Sequence, residues 1–154
     1  MATFRVETIA PQPAAAVRAE VPMDALAGVF DRAYGEVMRV AAAQGVAITG
    51  PPFGFYPRMP TDTVAVVAGF PVSGPITPDG DVTPFELPGG RVVRGVHVGP
   101  YEQLSITYGE LTGWAAAAGH ALATQMWESY LSDPRSEPDP STWRTELTWP
   151  LADA

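Results

Sequence analysis

The 154-residue sequence contains no cysteine, so neither disulfide bonds nor thiolate metal sites are available to it. It also contains no lysine: all nine basic residues are arginines, and they are scattered along the chain. Binding to a nucleic-acid backbone needs a clustered basic surface, so we expect no nucleic-acid partner. Seventeen acidic residues give a formal net charge of −8, which repels anionic lipid headgroups and favours cationic partners.

Histidines and long apolar runs are also scarce. His97 and His120 lie far apart, so we predict no metal site, and no glycine-rich phosphate loop or other cofactor motif is present. The apolar run at residues 64–70 has the length of a strand and is too short to span a membrane. Residues 1–7 lack the pattern of a secretory signal. We therefore expect a cofactor-free cytoplasmic protein with no membrane partner, folded as one domain over residues 1–154.

Two segments carry apolar residues at helical spacing, the first from about Pro22 to Gln44 and the second from about Pro100 to Ala118. Proline suits the first turn of a helix, where its missing N–H has no partner to lose. Gly45 and Gly119 stand where a left-handed C-terminal cap is expected. Strand-like segments surround these helices at Phe4–Ile9, Ala14–Val21, Phe53–Tyr56, Thr63–Val72, Arg91–Val98, Thr124–Leu131 and Trp143–Leu151.

The two halves of the sequence align with each other. The Tyr-Gly-Glu sequence at residues 34–36 recurs at residues 108–110, and the same offset places Tyr56 on Tyr130. Several such matches in order predict an internal duplication of a strand–helix–strand–strand unit. The predicted repeats span about residues 3–72 and 83–151.

The duplication predicts the fold class and the position of a ligand site. The predicted class is α+β, with two antiparallel sheets that are each backed by one long helix. Ligand sites favour junctions between structural units, so we expect a cleft at the seam of the two repeats. Gly-Pro-Asp-rich residues between them, at 73–75 and 79–81, are typical of a connector. The oligomeric state is left open, and a monomer is plausible.

Three motifs in the second half resemble a known family. They are His-Val-Gly-Pro-Tyr-Glu at 97–102, Trp-Glu-Ser-Tyr-Leu-Ser-Asp-Pro at 127–134 and Trp-Arg-Thr-Glu-Leu-Thr-Trp-Pro-Leu at 143–151. In order and spacing they resemble the GyrI-like small-molecule-binding family, which also supplies the effector-binding domain of AraC-type and MerR-type drug-sensing regulators. The resemblance implies two repeated units around a cleft for flat, lipophilic, often cationic compounds. Because this domain accounts for the chain, we expect no helix-turn-helix within it.

Glu128 is the principal candidate in the predicted site. The resemblance implies that it faces the cleft, and that Trp143 lies where a ring covers the ligand. Alternation along a strand places Met126, Glu128 and Tyr130 on one face. A carboxylate beside a thioether and a phenol suits an organic cation. Gly54 occupies the matching position of the first repeat, so the repeated fold does not itself require this carboxylate.

Other aromatic residues are weaker candidates. Tyr101 begins the second helix, from which its ring can lean over the cleft. Phe55 and Tyr56 lie on the strand of the first repeat that faces the seam, and we expect one of them to line the site. Trp114, on the inward stripe of its helix, and Trp127 are expected to belong to the core.

Glu128 also has a structural interpretation that the sequence leaves open. It could be an exposed strand residue, or it could form an ion pair with Arg135 or Arg144.

Three functions remain open at this stage. The leading interpretation is multidrug or xenobiotic binding of bulky, hydrophobic, aromatic and cationic molecules. The second is hydrolysis of strained, cyclopropane-bearing genotoxins, which a branch of the resembling family performs, with Glu128 as base and Tyr130 as proton donor. The third is inhibition of a topoisomerase through protein contacts.

Overall fold

The computed structural model describes residues 3–132 and 136–152 of the chain. Within these residues it has two α-helices and eight β-strands, and the strand pairs are antiparallel. The predicted mixture of helices and antiparallel strands is confirmed. The strands are β1 (Phe4–Ile9), β2 (Gln12–Val21), β3 (Phe53–Tyr56), β4 (Val64–Pro71), β5 (Val82–Leu87), β6 (Gly90–Val98), β7 (Met126–Tyr130) and β8 (Arg144–Pro150), and the helices are α1 (Leu26–Gln44) and α2 (Leu104–Ala117).

The chain divides into two compact units. Ala10–Gly89 forms one, here called the N-terminal unit, and the residues up to Ile9 join those from Gly90 onward in the C-terminal unit. The strand order is β3-β4-β2-β5 in the N-terminal unit and β7-β8-β6-β1 in the C-terminal unit. In each unit, one strand is followed by a helix and two further strands, and the strands have the same order. A fourth strand lies beside the first strand of this series, β5 beside β2 and β1 beside β6.

The sequence did not predict the position of the fourth strand in either unit. We assigned Phe4–Ile9 to the first repeat, but β1 pairs with β6 of the C-terminal unit. We predicted no strand at Val82–Leu87, but β5 pairs with β2 along the edge of the N-terminal unit. The partner of a strand depends on hydrogen bonds to residues that are distant in sequence. The local residue pattern of a strand does not identify that partner.

Both helices end within one residue of the predicted position, but α1 begins at Leu26 and α2 at Leu104, later than the predicted starts at Pro22 and Pro100. A proline and one 3-10 turn, Met23–Ala25 or Tyr101–Gln103, precede each of them. Gly45 caps α1 in the left-handed conformation, with φ of 68°, and its N–H bonds the carbonyls of Ala41 and Ala42. Gly119, with φ of 78°, follows α2. The φ values explain glycine at both ends, because a Cβ is unfavourable in this conformation.

The two helices differ in their surfaces. The predicted stripe of α1 is buried against a core that includes Ala15, Val17 and Ala68, whereas its other faces carry charged residues. The 14-residue helix α2 contains one charged residue, Glu110, and packs on β6. Among the described helices, none has both the length and the hydropathy that crossing a bilayer requires. The buried stripe of α1 consists of Val29, Ala33, Val37, Val40 and Ala41.

Candidate functional site

The candidate site lies in the C-terminal unit, on the face of its strands that α2 covers. Directly paired residues of neighbouring antiparallel strands share a face, so β6, β8 and β7 present their side chains in rows. Contacts from α2 to His97 and Glu128 identify this face as the one towards the helix. The first row is His97–Thr145–Tyr130 and the second is Gly95–Leu147–Glu128.

Glu128 is buried in the second row, with 6% of its surface exposed. Its carboxylate accepts a hydrogen bond from the Tyr108 hydroxyl on α2, and another from the Tyr130 hydroxyl at 2.7 Å. Loss of hydration in this setting raises the pKa of the Glu128 carboxyl, although the hydrogen bonds from Tyr108 and Tyr130 and the charge of His97 partly oppose that rise.

The structural alternatives for Glu128 are not supported by this geometry. Burial excludes the interpretation that it is an exposed strand residue. Its hydrogen bonds come from tyrosines, whereas Arg144 is exposed to solvent. Arg135, the other proposed partner, lies outside the described residues. Glu128 is thus a buried acid held by two neutral hydroxyl donors.

Tyr108 is a contact of the acid that the sequence did not single out for the site. Its hydroxyl also lies 3.6 Å from the Met126 sulfur, and its ring meets Trp149 edge-on. The repeated Tyr-Gly-Glu sequence was the available signal. In the N-terminal unit the matching Tyr34 donates to the backbone carbonyl of Phe53 at 3.0 Å. The tyrosine that recurs in both units therefore donates a hydrogen bond to a backbone carbonyl in the N-terminal unit and to the Glu128 carboxylate in the C-terminal unit.

Three of the predicted aromatic residues form one cluster. The ring centroids of Tyr101 and Trp143 are 4.8 Å apart, and those of Tyr101 and Tyr130 are 5.8 Å apart. Trp143 precedes β8, and its indole N–H donates to the carbonyl of Glu137 at 2.6 Å. Because Tyr130 also bonds Glu128, the cluster adjoins the buried acid, and all three rings are half-buried.

The two candidates in the N-terminal unit point to opposite faces of β3. Phe55 is buried and packs edge-on against Phe85, with ring centroids 5.1 Å apart. Tyr56 is half-buried and shares the face of Gly54, as Tyr130 shares that of Glu128.

Trp127 is 2% exposed, as expected of a core residue. Trp114 is half-buried and contacts the rings of Phe4 and His120.

A shallow open cavity of about 250 Å³ lies beside the start of α2, outside the cluster around Glu128. Its lining includes His97, Val98, Ile106 and Glu110 but neither Glu128 nor its tyrosines. The buried acid is the more specific mark of a candidate site, because an unusual buried charge is rarer on structural grounds than a surface depression. In residues 3–132 and 136–152, no three acidic or histidine side chains converge as a metal site would require.

Comparison with solved structures shows that this fold is known. The C-terminal domain of EcmrR has 20% identity and a TM-score of 0.86, with 98% of each chain covered. In a complex of EcmrR with DNA, the chain spans 57% of the longer EcmrR chain, at 21% identity and a TM-score of 0.83.

Two further structures share the fold at lower identity. A hydrolase from Listeria innocua has 15% identity and a TM-score of 0.65, covering 97% of this chain and 92% of its own. SAV2435, solved with bound tetraphenylphosphonium, has 12% identity and a TM-score of 0.66, covering 97% of this chain and 93% of its own. At such identities these likenesses establish the fold alone.

The comparison of the sequence with protein families assigns the chain directly. No curated protein matches it. The profile of the GyrI-like small molecule binding domain, however, matches residues 2–152, nearly the whole chain. This extent agrees with the resemblance carried by the three motifs of the second half. The chain belongs to the family of GyrI-like small molecule binding domains.

Proposed function

We propose that this GyrI-like domain binds bulky, hydrophobic, aromatic cations, with Glu128 as their counter-charge. The burial of Glu128 without a cationic side chain among its hydrogen-bond partners carries the proposal. A buried charge is costly unless a partner of opposite sign meets it, and the raised pKa of Glu128 expresses that cost. A bound cation would supply the missing partner.

The surroundings of Glu128 suit such a ligand. Met126, Tyr108 and Trp149 offer a polarisable sulfur and aromatic rings close to the acid. Tyr101 and Trp143 add two rings beside Tyr130. Aromatic faces attract positive charge, and they do so more strongly when the cation has left water. The structure of SAV2435 with tetraphenylphosphonium makes this cation a suitable first probe.

Glu128→Gln tests the proposal, because it preserves the shape of the side chain and removes its charge. We expect the affinity for tetraphenylphosphonium, measured by isothermal titration calorimetry, to fall by about 10- to 150-fold, or about 1.5–3 kcal/mol. Unchanged affinity would contradict the role of Glu128.

Glu146→Gln is the matched control. Glu146 lies on β8 next to Ser129 and on the opposite face of the sheet, where it is half-buried near Arg94. This substitution changes the net charge by the same amount at a short distance from the site. We expect the tetraphenylphosphonium affinity to stay within about twofold. Equal losses in both variants would indicate a long-range charge effect in place of a direct contact.

A hydrolase is the second candidate function. A carboxyl with a raised pKa beside two tyrosine hydroxyls resembles a base and proton-donor pair, and one structural neighbour is described as a hydrolase. Glu128 would activate water, and Tyr130 would protonate the leaving atom of a strained electrophile. Product analysis after incubation with a cyclopropane-bearing electrophile separates turnover from binding, since simple binding returns the compound unchanged.

Several finer points stay predictions. They are the internal duplication, a ligand cleft at the seam of the repeats, a contact from Phe55 or Tyr56 to the ligand, and inhibition of a topoisomerase. The shared strand order of the units supports the duplication.

A further inference from the structure

One buried hydroxyl beside the candidate site has no hydrogen-bond partner within the described residues. It is Oγ1 of Thr145, in the middle of the first row of side chains, and the residue is 0% exposed. Burying a hydroxyl without a partner costs free energy, so a position of this kind requires an explanation. Valine would fill the same space at no such cost.

The polar groups of His97 and Tyr130, the two neighbours of Thr145 in its row, already have hydrogen-bond partners. The Nδ1 atom of His97 lies 2.6 Å from Oγ1 of Thr107, and its Nε2 atom lies 3.1 Å from the carbonyl oxygen of Pro100. Since a carbonyl only accepts, Nε2 carries the proton of that contact. The Tyr130 hydroxyl donates to Glu128. Thr145 is thus the member of the row with an unused donor and acceptor.

Thr145 lies next to residues that we propose contact the ligand. It pairs directly with Tyr130 and precedes Leu147, the partner of Glu128, on the same face of β8. Trp143, two residues before it, and Tyr130 are both in the aromatic cluster with Tyr101. A ligand that parts these rings and reaches Glu128 would pass beside the Thr145 hydroxyl.

We propose that Thr145 is a second recognition point of the ligand site, which selects cations that carry a hydrogen-bonding group such as an amine or hydroxyl. The inference rests on the proposed function and names the substrate class more narrowly. Glu128 supplies attraction for positive charge, and the Thr145 hydroxyl supplies discrimination, because a ligand without a polar group leaves it unpartnered. Discrimination by unpaired polar groups is a general source of specificity in buried sites.

Thr145→Val tests this inference with two probes. Ethidium is an aromatic cation with two amino groups, whereas tetraphenylphosphonium has no hydrogen-bonding group. We expect the dissociation constant of ethidium to rise about 3- to 10-fold, which corresponds to the loss of one hydrogen bond, and that of tetraphenylphosphonium to stay within about twofold. Thr145→Ser, which keeps the hydroxyl, should retain ethidium binding near the level of the unaltered protein.

Thr148→Val is the control from the same strand. Thr148 is equally buried, but its side chain lies on the opposite face and accepts a hydrogen bond from Arg94 at 3.2 Å. Its loss should lower stability and leave the ratio of the two affinities unchanged.

The outcomes separate the inference from the proposed function. If the unaltered protein binds neither probe, the proposed function fails. If it binds both, but Thr145→Val weakens both equally or weakens neither, the proposed function stands and the role of Thr145 is refuted.

Discussion

At the scale of the residue, Glu128 of the C-terminal unit differs from Gly54, its counterpart in the N-terminal unit. The two positions pair in the same register, Glu128 with Leu147 and Gly54 with Ala68, so they are equivalent in their units. Only one of them holds a carboxylate. The acid is therefore not a requirement of the shared strand arrangement, and its burial between tyrosine hydroxyls costs stability, as expected for the ligand contact that we propose.

The raised pKa of Glu128 predicts a dependence of stability on pH. Between its ordinary pKa of about 4.5 and its raised pKa in the folded protein, Glu128 still holds a proton in the fold that the unfolded chain has released. The stabilising contribution of protonated Glu128 to the free energy of unfolding is therefore fully present below a pH of about 4.5. It is lost as the pH rises through the pKa of Glu128 in the folded protein. Glu128→Gln removes this loss.

Urea unfolding of the two proteins between pH 4 and pH 8 measures the effect. We expect the stability of Glu128→Gln relative to the unaltered protein to increase with pH, since the remaining carboxyls are common to both proteins and cancel. A difference that does not vary with pH would mean that Glu128 titrates normally in the fold.

At the scale of the element, two glycines of the first helical segment have opposite roles. Gly35 lies inside α1 on its exposed side, where an added Cβ would meet no atom within 4 Å. Gly45 ends the helix with φ of 68°, a conformation that L side chains rarely adopt. The sequence distinguishes the two because Gly45 follows the last apolar residue of the helical stripe, whereas Gly35 lies within the stripe's span.

Alanine at these two positions should therefore change stability in opposite directions. We expect Gly35→Ala to raise the free energy of unfolding by about 0.5–1 kcal/mol, because alanine favours helix over glycine. Gly45→Ala should lower it by about 1 kcal/mol, because alanine is strained in the left-handed conformation. Chemical denaturation of the two variants provides the comparison, and a change of the same sign in both would contradict this description of the helix end.

At the scale of the whole molecule, the net charge and the buried acid act in the same direction. The formal charge of −8 attracts cations over a distance set by ionic strength, whereas in the proposed function Glu128 acts only on contact. A pair of ligands that differ only in the sign of their charge measures the combined preference.

Tetraphenylphosphonium and tetraphenylborate are such a pair, since both present four phenyl rings around a single charge. We expect tetraphenylphosphonium to compete more strongly against a bound rhodamine dye in a fluorescence titration. Added salt should reduce the preference only in part, because the contribution of a buried carboxylate is weakly screened. Equal affinities, or a preference for the anion, would refute an acidic cation site.

The amino-acid sequence alone was enough to predict the mixture of helices and antiparallel strands, the C-terminal ends of the two helices and most of the strands, whereas Glu128 as the centre of a ligand site stays a prediction. These predictions rest on local patterns, such as apolar spacing, proline and glycine positions and a motif shared with a family. The tertiary structure alone decided the partners of β1 and β5, the hydrogen bond from Tyr108 to Glu128 and the unpartnered hydroxyl of Thr145. Each of these depends on residues far apart in the chain, and contact between them is created only by strand pairing and by the packing of a helix on a sheet.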